Sequence, residues 1–220
     1  MKYAIIGLAA FASLLGFSAS ALAQSGSTSY TYVEGSYEGS TFNTDQALGD
    51  DADGNGGRFE ASLALHKNMY VFGTYQISSL DDITNPAPVV LDDATLGTIG
   101  FGFNTGLSSG RIARDYRGLL DRYSLFLNGQ WKHLDIDNVG DADGFEFEVG
   151  LRSINFTPFE FIASVGYEEF DSAGGNLTLE GRLLYEVLTN LQLQFGVDWN
   201  DDRSSLFFGV RYNFPKLVLF

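Results

Sequence analysis

The residues able to do chemistry here are two histidines, a set of alternating glutamates and arginines, and runs of aspartate. His133-Leu134-Asp135 is the one close histidine–aspartate spacing, and a carboxylate beside an imidazole is the arrangement of a general base. His66 lies in His66-Lys67-Asn68, a polar tripeptide suited to a turn, where a structural role is expected. The chain has no cysteine, which excludes disulfides, thiolate nucleophiles and thiolate metal sites. Asp51, Asp53 and Asn55, in Asp51-Ala52-Asp53-Gly54-Asn55-Gly56, have the close oxygen spacing of a calcium loop. The segment lacks the rest of an EF-hand, including the bidentate glutamate that closes the loop. The competing reading is a solvated acidic rim, to which Asp45, Asp50, Asp81, Asp82, Asp92, Asp93, Asp137, Asp141, Asp143, Asp171, Asp201 and Asp202 also map. Divalent cations at such a rim would bridge it to other anionic groups. No motif implies a cofactor.

The elements that hold these residues are read from period-two alternation. It recurs in ten segments, near 29–38, 58–66, 69–79, 95–104, 122–135, 144–154, 159–169, 176–187, 191–200 and 204–214. Pro86, Pro88, Pro158 and Pro215 all fall between or after them, as expected of a residue that cannot donate to a ladder. In the ninth segment Leu191, Leu193, Phe195, Val197 and Trp199 alternate with Gln192, Gln194, Gly196 and Asp198. In the sixth, Phe145, Phe147, Val149 and Leu151 alternate with Glu146, Glu148, Gly150 and Arg152. One face is apolar and the other carries charge. The predicted fold class is therefore all-β, an antiparallel up-and-down barrel of about ten strands, or eight if two segments merge.

A soluble sandwich would show the same period, so the rest of the chain has to decide which face meets solvent. Lys2, the apolar run 4–17 and Ala21-Leu22-Ala23 before Gln24 have the three-part layout of a secretory signal peptide. The run is shorter than the roughly 20 residues of a spanning helix. Residues 1–23 are expected to be cleaved, 24–214 to form the barrel, and 215–220 to be a periplasmic extension. Nineteen phenylalanines, 11 tyrosines and 26 glycines suit a transmembrane barrel wall with aromatic girdles. Long connections at 39–57 and 80–94 alternate with short ones at 66–68, 155–158 and 188–190, matching long outer loops and tight periplasmic turns. Connection 105–121 breaks that rule. Ile112, Tyr116, Leu119 and Leu120 at helical spacing, with Arg111, Arg114 and Arg117, fit either a short basic helix on the inner headgroups or a longer turn. A net charge of −15 argues against nucleic-acid binding.

An arginine facing lipid at the bilayer midplane costs about 2–4 kcal/mol, against a total stability of roughly 5–15 kcal/mol for a domain. The charged face therefore points into the lumen. This predicts an interior network of Glu34, Arg58, Glu60, Arg122, Glu146, Glu148, Arg152, Glu160, Glu180, Arg182, Glu186 and Arg211, with Asp198 near the outer mouth. The same parity turns Tyr32, Tyr70, Phe72, Phe126, Ile162 and Leu184 inward. A barrel of this size is close to the eight-stranded limit at which side chains fill the interior. A mostly filled lumen is expected, with any leak preferring cations.

Tyr30-Thr31-Tyr32-Val33-Glu34-Gly35-Ser36-Tyr37, Tyr70-Val71-Phe72-Gly73-Thr74-Tyr75, Asp141-Ala142-Asp143-Gly144-Phe145, Val165-Gly166-Tyr167-Glu168 and Val210-Arg211-Tyr212-Asn213-Phe214 resemble the small proteobacterial outer-membrane β-barrel, porin-like proteins. The resemblance covers nearly the whole mature chain. It implies an integral protein of a Gram-negative outer membrane with both termini periplasmic, in contact with lipid and lipopolysaccharide and monomeric. Phe208, Val210, Tyr212 and Phe214, two apart at the end of the last strand, look like the signal read by the barrel-assembly machinery. The pattern departs from that signal in continuing to Phe220 past Pro215. Such barrels serve structural, adhesive, pore-forming or enzymatic roles. The enzymes among them pair histidine with aspartate, as in omptin-type proteases, or with serine, as in lipid A deacylases. Parity puts His133 and Asp135 with Leu125, Leu127 and Trp131 on the lipid-facing side, and no serine stands two residues after His133. The expected role is structural or interactive, not enzymatic, with a narrow cation-preferring pore as the alternative.

Overall fold

The computed structural model describes residues 30–42, 52–80, 93–106, 123–137, 140–153, 158–171 and 174–214. Ten strands, β1 (Tyr32–Phe42), β2 (Ala52–His66), β3 (Met69–Leu80), β4 (Asp93–Gly106), β5 (Tyr123–Ile136), β6 (Gly140–Ser153), β7 (Phe159–Phe170), β8 (Gly174–Leu188), β9 (Leu191–Asn200) and β10 (Arg203–Asn213), follow in order. Each pairs antiparallel with its neighbour in sequence, and β1 pairs with β10, from Tyr32 opposite Asn213 to Phe42 opposite Arg203. The sheet is thus a closed barrel without an edge, and the eight-strand alternative is set aside. We call the end where β1 begins and β10 finishes the terminal end, and the other the distal end.

Two-residue turns at Lys67-Asn68 and Thr189-Asn190 close the terminal end. Asn190 takes a left-handed φ of 70°, a conformation asparagine tolerates better than most residues. Pro158 stands in the turn before β7, where its carbonyl accepts from the Glu186 amide at 2.8 Å. The expected signal segment 1–23, the 107–122 connection and residues 215–220 lie outside the described residues.

Three strands reach further at the distal end than the alternation indicates. β1 continues to Phe42, not near 38, β2 begins at Ala52, not near 58, and β6 at Gly140, not near 144. Asp53-Gly54-Asn55-Gly56 reads as a turn from composition, yet these residues pair with β1 from Thr41 to Glu38. At Gly56 a Cβ would stand 1.8 Å from the Ile77 carbonyl oxygen, so the close approach of β3 explains a glycine inside the strand. Of the calcium-loop candidates, Asp53 and Asn55 sit on a paired extended strand, and the Asp53 carboxylate accepts from Thr41 Oγ1 at 2.9 Å. Asp51 lies outside the described residues. Asp141 and Asp143 likewise belong to β6, opposite Asp135 and His133, and Asp93 begins β4. All remain at the distal end.

The two faces of the wall differ in kind. The outer face exposes large apolar side chains, including Ile99, Leu127, Phe147, Phe195, Leu206 and Phe208, with Phe147 60% and Leu127 55% exposed. The buried set is mostly polar or charged, including Glu34, Glu60, Glu146, Arg152, Arg182 and Arg211. A protein bathed in water does not place phenylalanine and leucine all round its surface and arginine inside. Hydrocarbon as the outer solvent explains both faces.

Candidate functional site

The lumen is built on a simple packing rule. Tyr70, Phe72, Phe126 and Phe207 point inward, and each stands directly opposite a glycine on the next strand: Gly102, Gly100, Gly150 and Gly196. A Cβ on any of these glycines would lie 2.1–2.4 Å from a ring carbon. The rings therefore lie against the wall where a neighbour has no side chain, a cross-strand pairing that fixes register. This leaves the barrel axis to the charged side chains.

The largest cluster spans the β1–β10 closure. Arg211 donates to Glu34 through Nε at 2.9 Å, with Nη2 at 2.7 Å from the same oxygen, and its guanidinium lies 4.0 Å over the Tyr32 ring. Arg182 Nη1 reaches Glu34 at 3.4 Å and Glu60 at 3.3 Å, and the same guanidinium binds Glu180. Arg58 Nη2 adds a 2.8 Å bond to Glu60, whose other oxygen accepts from Tyr32 at 2.5 Å. Glu34 and Arg211 are each 1% exposed. Buried charge is tolerated when it is paired and bonded in this way.

A second cluster, nearer the distal end, centres on Lys132, whose Nζ lies 2.6 Å from Glu146 and 2.7 Å from Glu168. Gln130 and Thr178 donate to Glu146, and Asn200 donates to Glu168. Arg203 pairs with Asp198 at 2.9 Å. A third, nearer the terminal end, joins Arg152 to Glu160, which also accepts from Gln192. Glu148 accepts from Asn128 at 2.7 Å and bonds Ser164, but has no ion pair with another described residue. Glu38, held by Ser40, is in the same position. Glu186 stands opposite Gln192 at the terminal end, outside these clusters, and Arg122 lies outside the described residues.

The structure thus brings together Glu34, Arg58, Glu60, Glu180, Arg182 and Arg211, pairs Arg152 with Glu160, and sets Glu146 and Glu148 on the same lumen wall. Glu38, Lys132, Glu168, Arg203 and Phe207 were missed as lumen residues. Parity held the signal: Lys132 follows Asn128 and Gln130 at steps of two, and Glu168 follows Ile162, Ser164 and Gly166. Phe208, Val210 and Tyr212 face outward on β10, and Phe214, beyond the strand, continues the ladder by donating its amide to Thr31 at 2.8 Å.

A cavity of about 110 Å³ remains within the lumen, room for several waters at roughly 10–15 Å³ each. It runs from Tyr30, Arg152 and Arg211 toward Lys132, Glu168, Asp198 and Arg203. Arg58 Nε and Arg211 Nη1, both on its lining residues, have no partner among the described residues. Buried donors of this kind are normally met by water, so the cavity is polar in character. Inward carboxylates outnumber inward cations among the described residues. Glu34, Glu38, Glu60, Glu146, Glu148, Glu160, Glu168, Glu180, Glu186 and Asp198 face Arg58, Lys132, Arg152, Arg182, Arg203 and Arg211.

His133 lies on the outer surface near the distal end, as parity indicates. Its Nδ1 bonds Asp143 at 2.8 Å, across the strand pair, not Asp135, and its ring stacks on Trp131. Imidazole and carboxylate are both substantially exposed.

No family model and no curated protein matches the sequence. Among solved structures, the barrel is similar to an outer-membrane channel from Pseudomonas putida F1, with a TM-score of 0.51, 10% identity and coverage of 88% of this chain and 100% of that one. It is equally similar to the β domain of the Bordetella autotransporter BrkA, with a TM-score of 0.51, 10% identity and coverage of 84% and 99%. These likenesses concern the fold. Together with the apolar outer belt and charged lumen, the fold defines an integral outer-membrane β-barrel protein. Within that class it is a ten-stranded barrel whose interior is occupied by its own side chains.

Proposed function

We propose that this protein is a closed-lumen barrel with a structural or surface-interaction role in a Gram-negative outer membrane. The observation that carries the reading is the ion-pair network of Glu34, Glu60, Glu180, Arg58, Arg182 and Arg211, which crosses the lumen and joins β1, β2, β8 and β10. Barrels of 16–18 strands leave an aqueous channel and those near eight strands fill with side chains; ten strands lie near the filled end of that range. In this reading both termini are periplasmic and the acid-rich distal end faces outward. Asp93, Asp137, Asp141, Asp143, Asp171, Asp201 and Asp202 then meet lipopolysaccharide through divalent cations. Phe208, Val210, Tyr212 and Phe214 guide assembly, the barrel acts as a monomer, and it performs no enzymatic reaction.

A second reading, a narrow cation-preferring pore, is favoured by the polar cavity and the excess of inward carboxylates, since acidic linings favour cations. Planar-bilayer recording of the refolded full-length protein separates the two. The closed-lumen reading expects no stable unitary steps in molar potassium chloride. Large, long-lived openings would overturn it.

A further inference from the structure

We propose that Tyr30 is a plug: its side chain closes the terminal end of the lumen cavity, and its removal opens a narrow cation-preferring path. This rests on the closed-lumen reading: the cavity already runs alongside the ion-pair network, and Tyr30 is assigned the closure of its terminal end only. Tyr30 precedes β1, so it is not part of the wall, yet it lines the cavity. Its ring stacks on Tyr70 with centroids 4.6 Å apart, and the Arg152 guanidinium lies 4.8 Å from its centroid. Polar ties are few. The Tyr30 hydroxyl is 3.2 Å from Ser124 Oγ, and its carbonyl accepts from Ser62 Oγ at 2.7 Å. Wall residues, in contrast, are held by ladders on both sides, which is why a lead-in residue can leave while the barrel stays closed.

Among the described residues, the inward ones nearer the terminal end on β2, β4 and β5 are Ala64, Asn104 and Ser124, none of which lines the cavity. They are too short to take over the ring's place on the axis. On the opposite wall Gln192 donates to Glu160 and accepts from Asn213, and Glu186 stands opposite Gln192 on β8. The path opened would pass Glu148, a carboxylate with no cationic partner among the described residues, and this sets the sign of the ions preferred.

The test uses full-length protein in planar bilayers, with the folded state checked by resistance to protease. Wild type and Tyr30→Phe, which keeps the ring, are expected to stay silent, and Tyr30→Ala to give unitary steps with a cation-selective reversal potential. Adding Glu148→Gln to Tyr30→Ala should lower the cation-to-anion permeability ratio at least twofold. Because the chain has no cysteine, Tyr30→Cys gives an independent arm: its conductance should be blocked by a bulky methanethiosulfonate reagent and restored by a reductant. Folded Tyr30→Ala and Tyr30→Cys proteins that both stay silent would refute the plug and leave the closed-lumen reading intact. Equal conductance in wild type and Tyr30→Ala would refute both, and an unchanged selectivity with Glu148→Gln would refute the role given to that carboxylate.

Discussion

Arg211→Met offers the most demanding test of the lumen network. It removes both bonds to Glu34 and the contact over Tyr32, and leaves Glu34 in a site where it is 1% exposed. Breaking a buried pair from one side typically costs about 3–5 kcal/mol, because the remaining charge is stranded. Glu34 keeps Arg182, at 3.4 Å, so the cost should fall near the lower bound, about 3 kcal/mol. Glu34→Gln added to Arg211→Met removes the stranded charge, and most of the loss should return, leaving about 1 kcal/mol for the missing packing and hydrogen bonds. The non-additivity of the double-mutant cycle is then about 2 kcal/mol or more. Urea unfolding of the barrel refolded in lipid vesicles measures this, with Trp131 and Trp199 on the outer face as reporters. The comparison is valid if the denaturant slope is unchanged. A loss under about 1 kcal/mol for Arg211→Met, below the buried-pair range, or strict additivity, would refute the claim that the pair is buried and mutually compensating.

Four further outcomes follow from named contacts. Gly196→Ala should destabilise by about 1–3 kcal/mol, because its Cβ would lie 2.1 Å from the Phe207 ring, and the loss should vanish in a Phe207→Ala background under the same assay. Phe147→Arg should cost about 2–4 kcal/mol in vesicles, as a charge placed in lipid; a neutral result would show that this face does not meet hydrocarbon. Chelation of calcium should leave the melting temperature unchanged in vesicles free of lipopolysaccharide, since Asp53 and Asn55 are strand residues; a lowered value would restore the ion site. The purified protein should show no peptidase or lipid A deacylase turnover, and an activity abolished by His133→Ala would overturn the non-enzymatic reading.

The wall was legible because a strand with one face in lipid and the other in a charged lumen alternates without compromise. Apart from the distal start of β6, the strand positions from β3 to β10 follow from that pattern to within about two residues, and Leu191–Asn200 coincides with its sequence reading. The distal extensions were not legible, because glycine and aspartate in Asp53-Gly54-Asn55-Gly56 carry turn chemistry, while the close approach of Ile77 is a tertiary fact. Inward direction was readable for Glu34 and Arg211, but their pairing was not: they lie at opposite ends of the chain and meet only when β1 closes on β10. Tyr30 is a similar case: it falls in the first alternating segment at the parity of Tyr32 and Glu34, so its inward direction was readable, but its stacking depends on Tyr70 and Arg152, both distant in sequence.

The central claim is that apolar side chains of the wall face lipid and charged ones face a side-chain-filled lumen. Single cysteines placed in turn at 145–152 on β6, spin-labelled in vesicles, test it through collision rates with oxygen, which partitions into lipid, and with a water-soluble nickel chelate. The account predicts oxygen-accessible labels at 145, 147, 149 and 151, and labels shielded from oxygen at 146, 148, 150 and 152. The opposite phase, or the absence of a two-residue period, would contradict it.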